Sequence, residues 1–118
     1  MTAPVGLYLH IPFCRQRCDF CAFYLELYRE PAAEAFLRAL KTECRLQGAK
    51  ESITGRDVQS VYFGGGTPTT LRAGELITIL TDVRQRFSLE EDSEITIEAH
   101  PGTVTRGDLA ALRGAGFS

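Results

Sequence analysis

Residues 58–68, VQSVYFGGGTP, pass abruptly from strand-forming side chains to three bare glycines. Val58, Val61, Tyr62 and Phe63 are β-branched or aromatic, types that pack well on a pleated surface. Gly64-Gly65-Gly66-Thr67-Pro68 then breaks the run with the residues that punctuate loops. A strand over Val58 to Phe63 leading into a glycine loop is the local reading, and the alternation it starts continues in both directions. Upstream, Pro31 suits the first turn of a helix, Phe36, Leu37, Leu40 and Cys44 form an apolar stripe at helical spacing, and Gly48 ends it. Earlier still, Val5 to Ile11 sets Leu7, Leu9 and Ile11 against Tyr8 and His10 with the period of a strand, and Pro12 stops it. Downstream, Leu76, Leu80, Val83 and Phe87 recur at i, i+4, i+7 and i+11, the core face of a helix starting near Ala73. Ile95 to Ala99 reads as a third strand, and Leu109, Leu112 and nearby alanines sketch a third helix before Gly114 and Gly116.

The order βαβαβα predicts an α/β chain with a parallel sheet, right-handed crossovers and functional loops at the carboxyl ends of the strands. On the third strand Thr96, Glu98 and His100 would face away from Ile95, Ile97 and Ala99; on the first, Tyr8 and His10 oppose Leu7, Leu9 and Ile11. Two strands thus present polar residues to one face. In a barrel-like sheet whose apolar face meets the helices, that face is the lumen near its mouth.

Composition narrows the function classes. The chain has 118 residues, 44% of them hydrophobic, enough for a packed core. Thirteen Lys and Arg against fifteen Asp and Glu give a net charge of -2, so there is no basic excess for a nucleic-acid backbone. No apolar run approaches the ~18 residues of a membrane span, and the N-terminus lacks a basic region before its few apolar residues. A cytoplasmic location follows as the expectation, and in a reducing compartment four cysteines point to metal binding, catalysis or the core rather than to disulfides.

Cys14, Cys18 and Cys21 lie within eight residues, directly after the first strand. Such closely spaced thiolates select iron–sulfur clusters or zinc. A structural zinc calls for four ligands, usually in two pairs, and no second cysteine pair exists, although His10 could complete a set. A small zinc-binding module is therefore the alternative to a 4Fe-4S cube with one iron left open. Cys44 shares a helical stripe with Leu37 and Leu40 and reads as core, not as a fourth ligand. The glycine loop follows a strand and precedes a helix, where bare backbone can approach a ligand and offer N–H groups to an anion; a plain tight turn is the competing reading. Glu98 alone reads as a strand-end rim residue, but at a shared mouth its carboxylate could accept from an ammonium or a ribose hydroxyl. Tyr8 and His10 read equally as packed strand residues or as direct contacts.

Taken together, YLHIPFCRQRCDFC, YFGGGTPT and ITIEAHPGT resemble the radical S-adenosylmethionine enzymes, in particular the branch of oxygen-independent coproporphyrinogen III oxidases and HemW-like haem chaperones. The resemblance implies the N-terminal part, about three βα units, of a partial TIM-like radical SAM barrel, with residues 1–118 as the N-terminal portion of that core domain and its remaining strands and C-terminal domain absent. It implies a 4Fe-4S cluster on Cys14, Cys18 and Cys21 whose open iron takes the amino nitrogen and carboxylate of S-adenosylmethionine. Reductive cleavage of that molecule yields methionine and a 5′-deoxyadenosyl radical. By the same resemblance Tyr8, Gly65 and Glu98 contact the nucleotide, Phe20 lies near its adenosyl group, and Gly66 and Thr67 contact a second S-adenosylmethionine. Phe23 stands where the oxidases carry a further cysteine, and the stretch from Glu98 to Thr103 is closer to the chaperones, which commonly have Asn at the place of His100. The implied function is a haem chaperone that binds haem and hands it to apo-haemoproteins. The alternative is the oxidase, which decarboxylates propionates of coproporphyrinogen III to vinyls; the sequence names no electron donor.

Overall fold

The structure is a computed structural model that describes residues 3–14, 26–27, 29–100 and 102–117. Its elements are β1 (Val5–Ile11), β2 (Phe13–Cys14), β3 (Glu26–Leu27), α1 (Glu30–Gly48), β4 (Asp57–Gly65), a 3-10 turn (Pro68–Thr70), α2 (Ala73–Arg86), β5 (Ser88–Ile97) and α3 (Arg106–Ala115). β4 lies between β1 and β5 and is parallel to both, so each long strand is joined to its neighbour through a helix. β2 and β3 form a separate two-stranded parallel pair beside the start of the cysteine stretch. None of the helices among the described residues is long and apolar enough to cross a membrane.

The apolar halves of the strand patterns make the core. Leu9 and Ile11 of β1, Val58, Val61 and Phe63 of β4 and Ile95 of β5 are buried with Leu76, Ile79, Leu80 and Val83 of α2. Each fully buried Phe, Leu, Ile or Val contributes about 1.5–3 kcal/mol relative to exposure, so this layer dominates the stability. Two edge-to-face ring pairs extend it: Phe13 on Phe36 of α1, with centroids 5.4 Å apart, and Phe63 on Phe117, at 5.1 Å. Cys44 is buried in the same cluster, as its place on the helical stripe predicts. Burial raises its thiol above the ordinary range, and the nearby Asp82 and Glu43 add to the effect.

Local signals set the helix ends. Pro31 sits in the first turn of α1, where its missing N–H costs nothing. Glu75 accepts the Arg72 N–H at 2.8 Å and opens α2. Thr105 and Asp108 cap α3 reciprocally, and Gly116, at φ +116°, closes it.

The structure departs from the sequence reading at three places. β4 runs to Gly65, so Gly64 and Gly65 belong to the strand; pairing of their backbone with His10 and Ile11 needs no side-chain pattern. β5 starts at Ser88 and stops at Ile97, two residues short of Ala99. Its acidic first half pairs through an irregularity opposite Val58 to Ser60, anchored by Ser93, whose hydroxyl bridges the Val58 and Glu90 carbonyls at 2.7 Å each. On α3 only Leu112 is buried, while Leu109 is 50% exposed.

Candidate functional site

The polar face of the sheet carries the candidate site. In register, Tyr8 on β1 lies beside Tyr62 on β4, which lies beside Thr96 on β5. One step towards the carboxyl ends His10 lies beside Gly64, and the Glu98 N–H donates to the Phe63 carbonyl at 3.0 Å, which continues the ladder past the end of β5. Tyr8 and Tyr62 stay 59% and 38% exposed, unlike Leu9, Val61, Phe63 and Ile95, which point to the core. Sequence alternation alone places Tyr8 and Glu98 on this shared face, and the structure brings them together.

Gly64 is the floor of the cluster. A Cβ built there would lie 2.8 Å from a Tyr62 ring carbon, 2.9 Å from Glu98 Oε1 and 3.0 Å from the Tyr8 hydroxyl. Three side chains, from β1, from β4 and from just beyond the end of β5, therefore converge over one bare residue. Tyr62 donates its hydroxyl hydrogen to Glu98 Oε2 at 2.9 Å, and its ring is stacked on that of Tyr8, with centroids 5.8 Å apart and planes 13° apart. That hydrogen bond to Glu98, then partial desolvation and the carboxylate's charge, holds the Tyr62 phenol above the usual tyrosine range. From the sequence Gly64 is one member of the glycine loop and Tyr62 a strand former, neither with a place of its own in the site. The period-two pattern applied to the second strand would have found them, since Ser60, Tyr62 and Gly64 alternate with Val61 and Phe63.

Gly65 has φ +110°, and a Cβ there would lie 2.7 Å from the Ile11 carbonyl oxygen. The turn that follows is stitched to the chain ahead of the cysteines: Gly66 N–H donates to Ile11 O and Thr67 N–H to Phe13 O, both at 2.8 Å. These two amides are thus committed internally, so any contact from Gly66 or Thr67 to a ligand runs through other atoms than the N–H groups an anion would use. The Thr70 hydroxyl donates to the Thr67 carbonyl at 2.8 Å and closes the 3-10 turn.

His100 is not on the polar face beside Thr96 and Glu98, as strand alternation predicts, because the strand has ended. Its Nδ1 accepts the Gly102 N–H at 3.1 Å, its carbonyl accepts from the Thr103 N–H and hydroxyl, and its own N–H donates to the Thr69 hydroxyl at 3.2 Å. The imidazole acts as an Asn side chain does in an Asx turn. Thr69 and Thr103 are also hydrogen-bonded to each other, so the turn after β5 is tied to the turn after β4.

Among the metal-ligand candidates, Cys14 begins the cysteine loop on β2, where its backbone pairs with Leu27. Cys18, Cys21 and Phe20 lie outside the described residues. No group of His, Cys, Asp and Glu able to hold a metal occurs among the described residues. A cavity of about 500 Å³ between β1 and α1 is walled mainly by Leu7, Leu9, Phe36, Leu40 and Phe87. It contains neither the glycine turn nor Glu98, but Tyr8 and His10 also line it, so it borders the polar cluster along β1.

Comparison with known proteins adds the context of this geometry. The model of the radical SAM superfamily matches residues 8–118. The haem chaperone HemW of Mycobacterium tuberculosis is 37% identical over an alignment 118 residues long that covers 98% of this chain and 30% of that protein. Anaerobilin synthase of Escherichia coli O157:H7 is 41% identical over 92 residues, 78% of this chain and 21% of that protein. Coproporphyrinogen III oxidase (HemN) from Escherichia coli, described as a radical SAM enzyme, superposes with a TM-score of 0.90 at 34% identity, over 98% of this chain and 26% of that one. The chain spans less than a third of the length of each of these relatives.

Proposed function

This chain belongs to the radical SAM superfamily, in the HemW- and HemN-like group, and from that premise we propose that it is the N-terminal portion of the core domain of a haem chaperone. The observation that supports a nucleotide site is the convergence of the Tyr8 hydroxyl and Glu98 Oε1 over Gly64, where a side chain would fill the space. S-Adenosylmethionine fits this donor set: its ammonium and ribose hydroxyls are donors, and Glu98 is an acceptor whose Oε1 borders that space. In this reading Tyr8, Gly65 and Glu98 hold the nucleotide, Phe20 lies near its adenosyl group, and Gly66 and Thr67 face a second molecule of it. Cys14, Cys18 and Cys21 would hold the 4Fe-4S cluster, being three soft thiolates on one short loop. The Thr67 N–H on the Phe13 carbonyl sets the start of that loop beside the glycine turn. When bound, cluster and S-adenosylmethionine together supply one-electron chemistry. The protein's part is to orient the nucleotide through Glu98 and Tyr8 and to place the glycine turn against it.

Haem as the ligand, and apo-haemoproteins as its recipients, rest on the HemW relative and on Phe23 standing where the oxidases have a further cysteine. Two other activities have a specific observation behind them: the oxidase through the superposition with HemN, and a synthase of the anaerobilin type through the 41% identity. The test is anaerobic reconstitution of the full-length protein. Iron and acid-labile sulfide should be retained, and lost when Cys14→Ala, Cys18→Ala and Cys21→Ala are combined. Haem should bind, and coproporphyrinogen III should be recovered unchanged. Zinc in place of iron would remove the cluster from the account, vinyl product would make the protein an oxidase, and formation of anaerobilin would favour the synthase.

A further inference from the structure

We propose that Tyr62 is a positioning residue for the nucleotide site: its hydroxyl fixes one oxygen of Glu98 so that the other is presented over Gly64. The inference rests on the proposed S-adenosylmethionine site and adds to it a residue outside the glycine turn and the cysteine loop.

Three observations carry it. The Tyr62 hydroxyl donates to Glu98 Oε2 at 2.9 Å, while Oε1 is the oxygen that borders the space above Gly64, 2.9 Å from the point a Cβ would occupy. The two carboxylate oxygens are therefore differentiated, one engaged by the protein and one facing the space. Tyr62 is itself braced, its ring stacked on Tyr8 at 5.8 Å and its backbone held between β1 and β5 in the central strand. Glu98 lies exposed just beyond the end of β5, and among the described residues its N–H is tied to Phe63 and its carboxylate to Tyr62. A glutamate in that position samples several rotamers unless a partner selects one.

The raised phenol of Tyr62 agrees with this arrangement, since the bond to Glu98 exists only while the hydroxyl keeps its proton. The groups that face it are Glu98 and Tyr8, with the His10 ring 6.2 Å from that of Tyr8. A hydroxyl that orients a charged partner acts by removing alternatives before the ligand arrives. Its loss is felt as reduced affinity through Glu98, not as a lost contact of its own.

The experiment is equilibrium binding of S-adenosylmethionine to the full-length, anaerobically reconstituted protein in four forms: unaltered, Tyr62→Phe, Glu98→Gln, and the two combined. Tyr62→Phe keeps the ring and its stacking on Tyr8 and removes only the hydroxyl. It should weaken binding by about tenfold, the equivalent of about 1.4 kcal/mol. Glu98→Gln should weaken it at least as much, and the double variant should be no worse than Glu98→Gln alone, because Tyr62 acts through Glu98. Ultraviolet titration gives a readout independent of the ligand: a tyrosine that ionises late should be missing in Tyr62→Phe and should ionise earlier in Glu98→Gln. Tyr62→Phe binding within twofold of the unaltered protein, while Glu98→Gln is impaired, overturns the positioning role and leaves the site standing. Fully additive losses overturn it too, by showing that Tyr62 contributes separately. Unimpaired binding in Glu98→Gln would remove the nucleotide site itself and this role with it.

Discussion

Replacing Gly65 by alanine isolates the backbone's part in shaping the turn. At φ +110° an L side chain is strained, and a left-handed conformation costs such a residue about 1–2 kcal/mol. The new Cβ would also lie 2.7 Å from the Ile11 carbonyl oxygen and 2.9 Å from two imidazole atoms of His10. His10 is exposed and can turn away, but Ile11 is fully buried and its carbonyl is held by the Gly66 N–H, so the strand itself must shift. Overpacking of that kind costs about 1–3 kcal/mol. The stiffer unfolded chain of the alanine variant offsets about 0.4–1 kcal/mol, which leaves a net loss of about 1–4 kcal/mol. With a urea dependence of about 2 kcal/mol per molar, the unfolding midpoint should fall by roughly 0.5–2 M with its slope unchanged. Urea titration of the 118-residue chain followed by circular dichroism reads this directly. A midpoint within about 0.2 M of the unaltered chain would refute the reasoning, since it would mean that the Ile11 carbonyl yields freely.

Gly64→Ala should behave in the opposite way. Its backbone is not in the left-handed region and its Cβ meets a Tyr62 ring carbon and the tips of Glu98 and Tyr8, all on exposed side chains and none on backbone, so the urea midpoint should move less than for Gly65→Ala while S-adenosylmethionine affinity falls by at least about tenfold. An equal loss of stability at the two glycines would contradict the distinction. His100→Asn should preserve the turn because its amide oxygen replaces Nδ1 as acceptor for the Gly102 N–H, whereas His100→Ala should cost about 0.5–1.5 kcal/mol and deprotect the Gly102 amide in hydrogen exchange. Cys44 keeps its proton to higher pH when folded than when unfolded. Its contribution is therefore complete below the ordinary thiol value of about 8.5 and declines as pH rises towards the folded value. The alkaline fall in stability should be shallower in Cys44→Ala, and an unchanged slope would assign that fall to other groups. Leu76→Ala, at a site 1% exposed, should cost about 2–5 kcal/mol by thermal or denaturant unfolding, and a loss below about 1 kcal/mol would mean that the helix layer collapses around the gap.

How much of this was legible in the sequence follows from what each residue's signal depends on. β1 is found with the bounds Val5–Ile11 because its alternation is strict and Pro12 ends it. The helices are found because their stripes face a core that needs them. Where pairing runs through backbone alone the sequence is silent: Gly64 and Gly65 extend β4, and the acidic stretch after Ser88 joins the sheet, with no pattern to announce either. His100 escapes the alternation of Thr96 and Glu98 because the strand ends at Ile97 and a turn follows. At the site, Tyr8 and Glu98 were legible from their own strands. Tyr62 was not, because its meaning depends on register, which sets it beside Tyr8 and within reach of Glu98. Cys18, Cys21 and Phe20 remain readings of spacing and resemblance, since they lie outside the described residues.

The two hydrogen bonds from Gly66 and Thr67 to Ile11 and Phe13 also bear on the order of assembly. They join positions more than fifty residues apart in sequence, so they close only after the intervening helix has folded back along the sheet. Once closed, they fix where the chain departs after Phe13. In the proposed reading a cluster would thus meet a chain whose departure point is set by backbone hydrogen bonds alone, through contacts that contain no metal ligand.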